Sequence, residues 1–307
     1  MQKSIRIGTR DSQLAMWQAT QLKNLLETNG YRTELVPTKS EGDIDLSTPL
    51  YEMGVQGIFT RSLDIALLNN QIDVAVHSMK DVPTQLPQGI RRAAILKRGP
   101  FRDLLVYKGD ISFLEDRNSV AHVATSSIRR IAQWLHRYPL HQIHNLRGNV
   151  NTRLRKLSEE NWNGAIFAQA GLERINVRPE QSIELDWMLP APAQGAIMIV
   201  CRTNDEHTYA ACAQFNDELT TLCTNLERDF LRTLMGGCST PISALAQVEG
   251  HEMRFEGSIL SLDGKQKVSV EKRTALWTAR NLGIDAAHEL LANGGKEIAD
   301  SIQHAKS

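Results

Sequence analysis

The chain has few cysteines, and none of them is paired at a metal-binding spacing. Its 307 residues contain four, at positions 201, 212, 223 and 238, with no C-x-x-C pair and no histidine at a finger-like distance. Zinc sites need such clusters of thiolate and imidazole ligands, so we expect no bound metal. Disulfides are not expected either, because they are rare in a reducing compartment.

Long apolar runs and an excess of one charge are also missing. No run approaches the roughly 20 apolar residues that span a bilayer, and residues 1–7 alternate directly into a strand pattern without a secretory signal. We therefore expect a cytoplasmic protein with no membrane partner. Lys plus Arg and Asp plus Glu balance at 35 each, which gives no support for a nucleic-acid partner.

What is present is an alternation of strand and helix signals over the first two-thirds of the chain. The first strand, at residues 5–9, leads to a helix that Asp11 or Ser12 can cap and that Gly30 ends. Similar series recur up to a strand at residues 164–168. Such alternation predicts mainly parallel sheets with helices on both faces.

The pattern changes after about residue 215. A long helix at residues 218–234 leads into three alternating segments, near 242–248, 253–261 and 267–273, and a terminal helix at 284–291. Runs of strands flanked by helices indicate a small α+β domain. A chain of 307 residues is long enough for two or three domains.

The most informative segment runs from Ile72 to Pro83. A short apolar stretch, typical of a buried strand, ends in a packet of ionisable and hydroxyl groups, HSMKD, before Pro83. Ligands bind beyond the carboxyl ends of strands in open α/β sheets. Lys80 can there bind an anionic substrate, and Asp81 can supply a carboxyl group for proton transfer. The alternative is a surface Lys–Asp pair, and this segment alone does not decide.

Arginines cluster at two equivalent strand-to-helix turns. The residues concerned are Thr125, Ser126, Ser127, Arg129 and Arg130 at the first turn and Arg147, Gly148, Asn149 and Arg153 at the second. Helix N-termini favour anions, and arginine binds carboxylates in bidentate fashion. Arg10 and Ser12 follow the first strand in the same way. We predict one cleft that binds several carboxylates or phosphates; the alternative is helix capping with solvated arginines. No nucleotide-binding glycine loop occurs at these turns.

Cys238 differs from the other three cysteines. It lies in a glycine turn, MGGCSTP at residues 235–241, whereas the others look like core or helix-face residues. Glycines allow close backbone approach and unusual dihedral angles. A thiol on such a turn is expected to be accessible.

These motifs together resemble the porphobilinogen deaminase family, also called the hydroxymethylbilane synthases. The resemblance runs nearly end to end, through residues 8–15, 75–83, 125–130, 146–153, 170–174, 189–195, 227–228 and 236–242. It implies an α/β fold of two periplasmic-binding-protein-like α/β domains around a cleft, plus a small C-terminal α+β domain. We expect these domains at residues 1–97 with 195–214, at 98–194 and at 215–307.

The resemblance also implies an activity. Members join four porphobilinogen molecules head to tail and release ammonia each time, which gives the linear tetrapyrrole hydroxymethylbilane. A dipyrromethane cofactor, held by a thioether to Cys238, primes the chain and is never turned over. Asp81 is the implied catalytic residue, because a carboxylate near a pyrrole N–H stabilises positive charge there. The family is usually monomeric.

The implied binding residues form two groups. The cofactor is expected to contact Cys238, Lys80, Ser78, Thr125, Ser126, Ser127, Arg129 and Arg130. The substrate is expected to contact Arg10, Ser12, Arg147, Gly148, Asn149, Arg153, Arg174 and Gln194. The arginines among them are implied to bind acetate and propionate carboxylates.

The chain departs from the family pattern at Gln56, Ser62 and Met235, where Lys, Glu and Glu are common. These changes bear on loop charge pairing and on packing beside the cysteine turn. Two other readings stay open: a binding protein for polycarboxylates without catalysis, and a transferase in which Cys238 turns over with help from His77. Intact mass separates all three, because only a covalent dipyrromethane adds permanent mass to the chain.

Overall fold

The computed structural model describes residues 4–38, 59–234 and 240–304. Cys238, Met235 and Gln56, with nearly all of the loop expected between residues 38 and 60, lie outside these ranges. The described strands form three sheets, two of five strands and one of three.

The described helices and strands follow one another in this order: β1 (Ile5–Arg10), α1 (Gln13–Thr28), β2 (Thr33–Thr38), α2 (Arg61–Leu68), β3 (Val74–Ser78), β4 (Ile90–Leu96), β5 (Asp103–Tyr107), β6 (His122–Ala124), α3 (Ile128–Arg137), β7 (Gln142–His144), α4 (Val150–Glu159), β8 (Gly164–Ala168), α5 (Gln169–Glu173), β9 (Ser182–Glu184), β10 (Ile197–Arg202), α6 (Glu206–Ala213), α7 (Glu218–Thr233), β11 (Ile242–Glu249), β12 (Glu252–Leu260), β13 (Lys267–Ala275), α8 (Leu282–Leu290) and α9 (Lys296–His304).

The first sheet has the order β2-β1-β3-β10-β4 and is covered on both faces. Helix α1 is capped by Ser12, whose hydroxyl accepts the Ala15 N–H; of the two predicted caps, Asp11 and Ser12, the structure uses Ser12. Its Leu22 and Leu26 side chains are fully buried against β1 and β3 on one face. On the other face, Leu63 and neighbouring residues of α2 pack against β3 and β10.

The expectation of mainly parallel sheets is only half right. β1 is parallel to β2 and β3, but β10 lies between β3 and β4 and is antiparallel to both. The second sheet, β7-β6-β8-β5-β9, repeats this arrangement around β5. β5 and β10 are the strands by which the chain enters the second sheet and returns to the first. Their apolar runs indicate burial but carry no signal for strand direction.

The last sheet is an antiparallel meander, β11-β12-β13, with α7, α8 and α9 packed against it. Its core centres on Phe230 of α7 and Phe255 of β12, whose ring centroids are 5.3 Å apart. Gly257 lies under Phe230, where an added Cβ would come within 2.5 Å of the ring. The predicted long helix and three strands are confirmed, whereas α9, which follows a break at Gly294 (φ +99°), was not predicted.

Among the described helices, none has both the length and the apolar character needed to cross a bilayer.

Candidate active site

The segment after β3 forms a 3₁₀ turn, Met79–Asp81, just beyond the carboxyl end of a central strand. The Met79 side chain is fully buried in the core below the sheet, and its N–H donates to the Ala196 carbonyl at 3.0 Å. Lys80 and Asp81 are held partly buried by this anchor. The sequence placed Asp81 correctly at the end of a buried strand.

Lys80 is hydrogen-bonded to a buried side chain, Gln194. This residue lies in the returning crossover, the segment between β9 and β10 by which the chain returns to the first sheet. Lys80 Nζ lies 3.1 Å from Oε1 of Gln194, and the Gln194 amide donates in turn to Asp103 Oδ1 at 2.8 Å. Burial lowers the pKa of Lys80 to about 8, while the charge of Asp81 opposes that shift. Lys80 therefore carries its charge at neutral pH, as binding of a carboxylate requires.

Arg129 and Arg130 both turn their guanidinium groups to Asp103. Arg129 Nη2 lies 2.6 Å from Oδ2 and Arg130 Nη2 lies 2.8 Å from Oδ1. All three side chains are buried. Burial alone raises the pKa of Asp103, but the two guanidinium groups outweigh it and hold that pKa far below its usual range. The reading of these arginines as solvated capping residues is therefore wrong.

Asp103 was not among the predicted site residues. It lies at the start of β5 and precedes Arg129 by 26 residues in the chain. In the sequence its one signal is an acidic residue directly before a buried apolar run. A carboxylate at that position is rarely buried without a cation, so it could have been matched to the arginines.

Arg153 lies among charged groups from both five-stranded sheets. Burial lowers the pKa of Arg153 to about 10; the charges of Arg130, Arg147 and Arg10 act in the same direction, and Asp81 opposes them. Arg130 and Arg147 belong to the two predicted turns, whereas Asp81 lies in the 3₁₀ turn that follows β3 of the first sheet. The structure therefore brings the predicted arginines and the predicted catalytic carboxylate into one neighbourhood.

The two arginine turns are joined by their hydroxyl groups. Ser126 Oγ donates to Asn145 Oδ1 at 2.5 Å and accepts the Leu146 N–H at 2.8 Å. The Ser127 N–H donates to Thr125 Oγ1 at 3.3 Å. The predicted hydroxyls of the first turn thus fix the second turn beside it.

The second turn depends on glycine. Gly148 has φ +111°, and an added Cβ would lie 2.7 Å from the Thr152 side chain. Its carbonyl accepts Nε of Arg153 at 2.7 Å. Asn149 then caps α4, accepting the Thr152 N–H at 2.9 Å. These contacts set the direction of the Arg153 side chain.

Two predicted residues have partners at the edges of this neighbourhood. Ser78 Oγ accepts the side-chain amide of Gln18 at 2.9 Å. Arg174 donates to the Gly195 carbonyl at 2.6 Å, and burial lowers its pKa to about 10. Arg174 thus lies at the returning crossover, beside the backbone that also positions Gln194.

A second buried carboxylate is Glu227 of α7, for which the sequence predicted no separate role. It accepts both ends of the Arg98 guanidinium, at 2.6 and 3.1 Å, and the N–H groups of Ala193 and Ala246, at 2.6 and 2.8 Å. Ala193 has φ +63°, which is uncommon for a residue with a Cβ. Glu227 therefore joins three parts of the chain to helix α7: the segment between β4 and β5, the segment between β9 and β10, and β11.

Among the residues that the structure describes, cations outnumber carboxylates in the neighbourhood of Asp81. The cations are Lys80, Arg10, Arg129, Arg130, Arg147 and Arg153, and the carboxylates that act on them are Asp81 and Asp103. Such a surface favours a ligand with several carboxylates. In residues 4–38, 59–234 and 240–304, no group of three or more His, Cys, Asp and Glu side chains could hold a metal ion.

His77 makes stability depend on pH. Its side chain is buried, and no hydrogen-bond partner within the described ranges reaches Nε2. Burial lowers the pKa of His77 to about 4, and Arg10 adds to the shift. In the unfolded chain His77 has its ordinary pKa of about 6.5, so it binds a proton at a higher pH than in the folded chain. The contribution of neutral His77 to stability is therefore fully present above pH 6.5. It is lost as the pH falls through about 4, by about 3 kcal/mol.

We expect His77→Gln to remove this contribution. Free energies of unfolding are measured in urea at several pH values from 7 to 4. The parent should lose up to about 3 kcal/mol over this range and the variant should not, so the difference between them should change by about that amount. His251→Gln, at an exposed position, is the control and should follow the parent throughout. A constant difference between parent and His77→Gln would contradict the assignment.

Comparison with known proteins agrees with this geometry. Residues 5–210 match the family model for "Porphobilinogen deaminase, dipyromethane cofactor binding domain", and residues 221–292 match "Porphobilinogen deaminase, C-terminal domain". A porphobilinogen deaminase from Trichlorobacter lovleyi is 40% identical over 304 residues, 98% of this chain and 97% of the relative. One from Pelobacter propionicus is 39% identical over the same shares.

Solved structures give a weaker likeness. The probable amino-acid ABC transporter extracellular-binding protein ytmK from Bacillus subtilis has a TM-score of 0.43 and 11% identity, covering 70% of this chain and 90% of that chain. The family models and the relatives match nearly the whole length of the sequence. The chain belongs to the porphobilinogen deaminase family.

Proposed function

We propose that this chain joins four porphobilinogen molecules head to tail into hydroxymethylbilane and releases ammonia at each step, in the biosynthesis of haem and other tetrapyrroles. One observation carries the proposal: the charge of Asp81, on the turn after β3, acts on Lys80 of the same turn and on Arg153 of α4, which Arg10, Arg130 and Arg147 also influence. The growing product gains carboxylates with every unit, so an extended basic surface suits it.

The donor set around Asp81 also fits the cofactor. A dipyrromethane carries acetate and propionate groups. Lys80, Arg129 and Arg130 present three cations, and the described carboxylates that act on them are Asp81 and Asp103. We assign the covalent attachment of the cofactor to Cys238. When bound, it supplies the pyrrole end to which the first substrate is joined.

Asp81 is the proposed catalytic residue. Loss of ammonia from porphobilinogen leaves an electron-deficient azafulvene. The Asp81 carboxylate near the pyrrole N–H stabilises that positive charge, and its acid form can protonate the leaving amine. Arg10, Arg147 and Arg153 would then hold the substrate carboxylates.

The remaining assignments concern the whole molecule. We propose domains at residues 1–97 with 195–214, at 98–194 and at 215–307, which assigns each of the three sheets to its own domain. We also propose a monomer that works in the cytoplasm. Size-exclusion chromatography with light scattering tests whether the protein is a monomer, and fractionation of cells tests whether it is cytoplasmic.

Intact mass spectrometry before and after addition of porphobilinogen tests the function. The purified protein should exceed the mass of its sequence by one dipyrromethane, and porphobilinogen should add further units in steps while ammonia is released. A polycarboxylate-binding protein would show the unmodified mass and release no ammonia. A transferase with a turning-over cysteine would lose its added mass in every cycle.

A further inference from the structure

A guanidinium group from the C-terminal part of the chain is bonded to the Asp81 turn. Arg228 of α7 donates through Nη1 to the carbonyls of Met79 (3.3 Å) and Val82 (2.8 Å), and through Nη2 to that of Pro83 (2.5 Å). These three carbonyls flank Asp81 on both sides in the chain. The backbone of Asp81 therefore lies between carbonyls that all accept hydrogen bonds from the Arg228 side chain.

Apart from the buried Met79 anchor, few hydrogen bonds within the turn fix it. A single 3₁₀ turn leaves most of its carbonyls without an internal donor, and here the Val82 N–H returns only to the Met79 carbonyl. Pro83 has no N–H, so the chain beyond cannot rejoin a sheet at that residue. Arg228 supplies the donors that the turn lacks, as basic side chains do at helix C-termini.

Arg228 is itself fixed by its neighbour. The adjacent Glu227 binds Arg98 and the N–H groups of Ala193 and Ala246. Helix α7 therefore cannot slide or rotate without breaking a buried ion pair. These contacts of Glu227 therefore also fix the position of the Arg228 guanidinium relative to β3.

The chain just beyond the turn borders an open pocket. This pocket, of about 400 Å³, lies between Thr84 and Leu86 on one side and Asn225, Arg228 and Arg232 of α7 on the other. Segments that border open volume relax more readily than close-packed ones. Without the three hydrogen bonds from Arg228, the chain beyond Asp81 would therefore be less constrained on the side of this pocket.

We propose that Arg228 is a positioning residue for the deaminase reaction, and that the C-terminal domain sets the place of Asp81 through it. The inference rests on the proposed function, because the reaction it serves is ammonia release at Asp81. Catalytic groups must be held within a fraction of an ångström, and a shift of about 1 Å costs on the order of a hundredfold in rate.

Single-turnover ammonia release in Arg228→Gln tests the proposal. We expect the rate to fall by about tenfold to a hundredfold while KM and the attached dipyrromethane mass stay unchanged. Arg228→Lys, which reaches one carbonyl at a time, should fall in between. Arg232→Gln is the matched control: it lies one turn further along the helix, pairs with Asp229 at the surface and should keep the parent rate.

A double-mutant cycle with Asp81→Asn separates positioning from general loss of structure. If Arg228 acts through the Asp81 carboxylate, Arg228→Gln should cost less than about threefold in the Asp81→Asn background. A full, multiplicative loss there, or a single variant with the parent rate, would overturn the proposal. A parent protein without dipyrromethane mass and without ammonia release would instead overturn the proposed function. If Arg228→Gln unfolds at assay temperature, the same cycle is run with Arg228→Lys and decides on the same criterion.

Discussion

Cys238→Ala is expected to yield a folded protein that carries no dipyrromethane and makes no hydroxymethylbilane. The nucleophile that captures the first electrophile must be a thiolate. The other three cysteines are buried. Burial raises the pKa of Cys201, raises that of Cys212 to about 12, and raises that of Cys223 to about 11. They are thus thiols at neutral pH, which supports the proposal that Cys238 carries the thioether.

Intact mass of the four single variants measures this. Cys201→Ala, Cys212→Ala and Cys223→Ala should each keep the added mass of the cofactor, since their thiols pack in the core. Each should lose stability by about 1 kcal/mol, in the ordinary range for a small core change. Covalent dipyrromethane on the Cys238→Ala protein would move the attachment to another residue.

The sequence predicted the local structure well and the pairing of strands poorly. The cap of helix α1 is Ser12, one of the two candidates that the sequence offered, because a cap is formed between residues three apart. The direction of β5 and β10 depends on how the chain crosses between two sheets. That choice involves contacts such as Glu227 with Arg98, 129 residues apart, for which the sequence has no local signal.

The candidate site shows the same division. The sequence placed Asp81 at a strand end and the two arginine turns at helix starts, because each follows from neighbouring residues. The sequence did not predict a role for Asp103, because by itself it is only an acidic residue at the start of a strand. Only folding shows that this carboxylate holds Arg129 and Arg130 in place. Burying two guanidinium groups requires such a partner, so the partner is as necessary to the site as the arginines.

Asp81→Asn is expected to retain its cofactor and lose most of its turnover. The variant keeps the shape of the side chain and removes the charge that we propose stabilises the azafulvene. Preorganised charged groups of this kind contribute about 3–5 kcal/mol to the transition state, which is roughly a hundredfold to several thousandfold in rate. The cofactor forms slowly and only once, so even a slow variant can assemble it. Every elongation step regenerates the cation and meets the full loss.

The Asn variant also changes its neighbours in a direction that can be measured. The charge of Asp81 raises the pKa of Lys80 and that of Arg153, so its removal lowers both. Lys80, with a pKa already lowered to about 8 by burial, should then lose its proton closer to neutral pH. The residual activity of Asp81→Asn should therefore decline at a lower pH than that of the parent on the alkaline side.

Asp81→Glu provides the comparison for Asp81→Asn. It keeps the charge and moves it by one methylene, so it should retain partial activity and accumulate enzyme-bound intermediates that mass spectrometry resolves. Single-turnover ammonia release is measured for all three proteins, with the dipyrromethane mass determined in each. An Asn variant with full cofactor and the parent rate would remove Asp81 from the mechanism. The buried cation beside it, Lys80, would then be the next group to test, since its charge lies in the same neighbourhood.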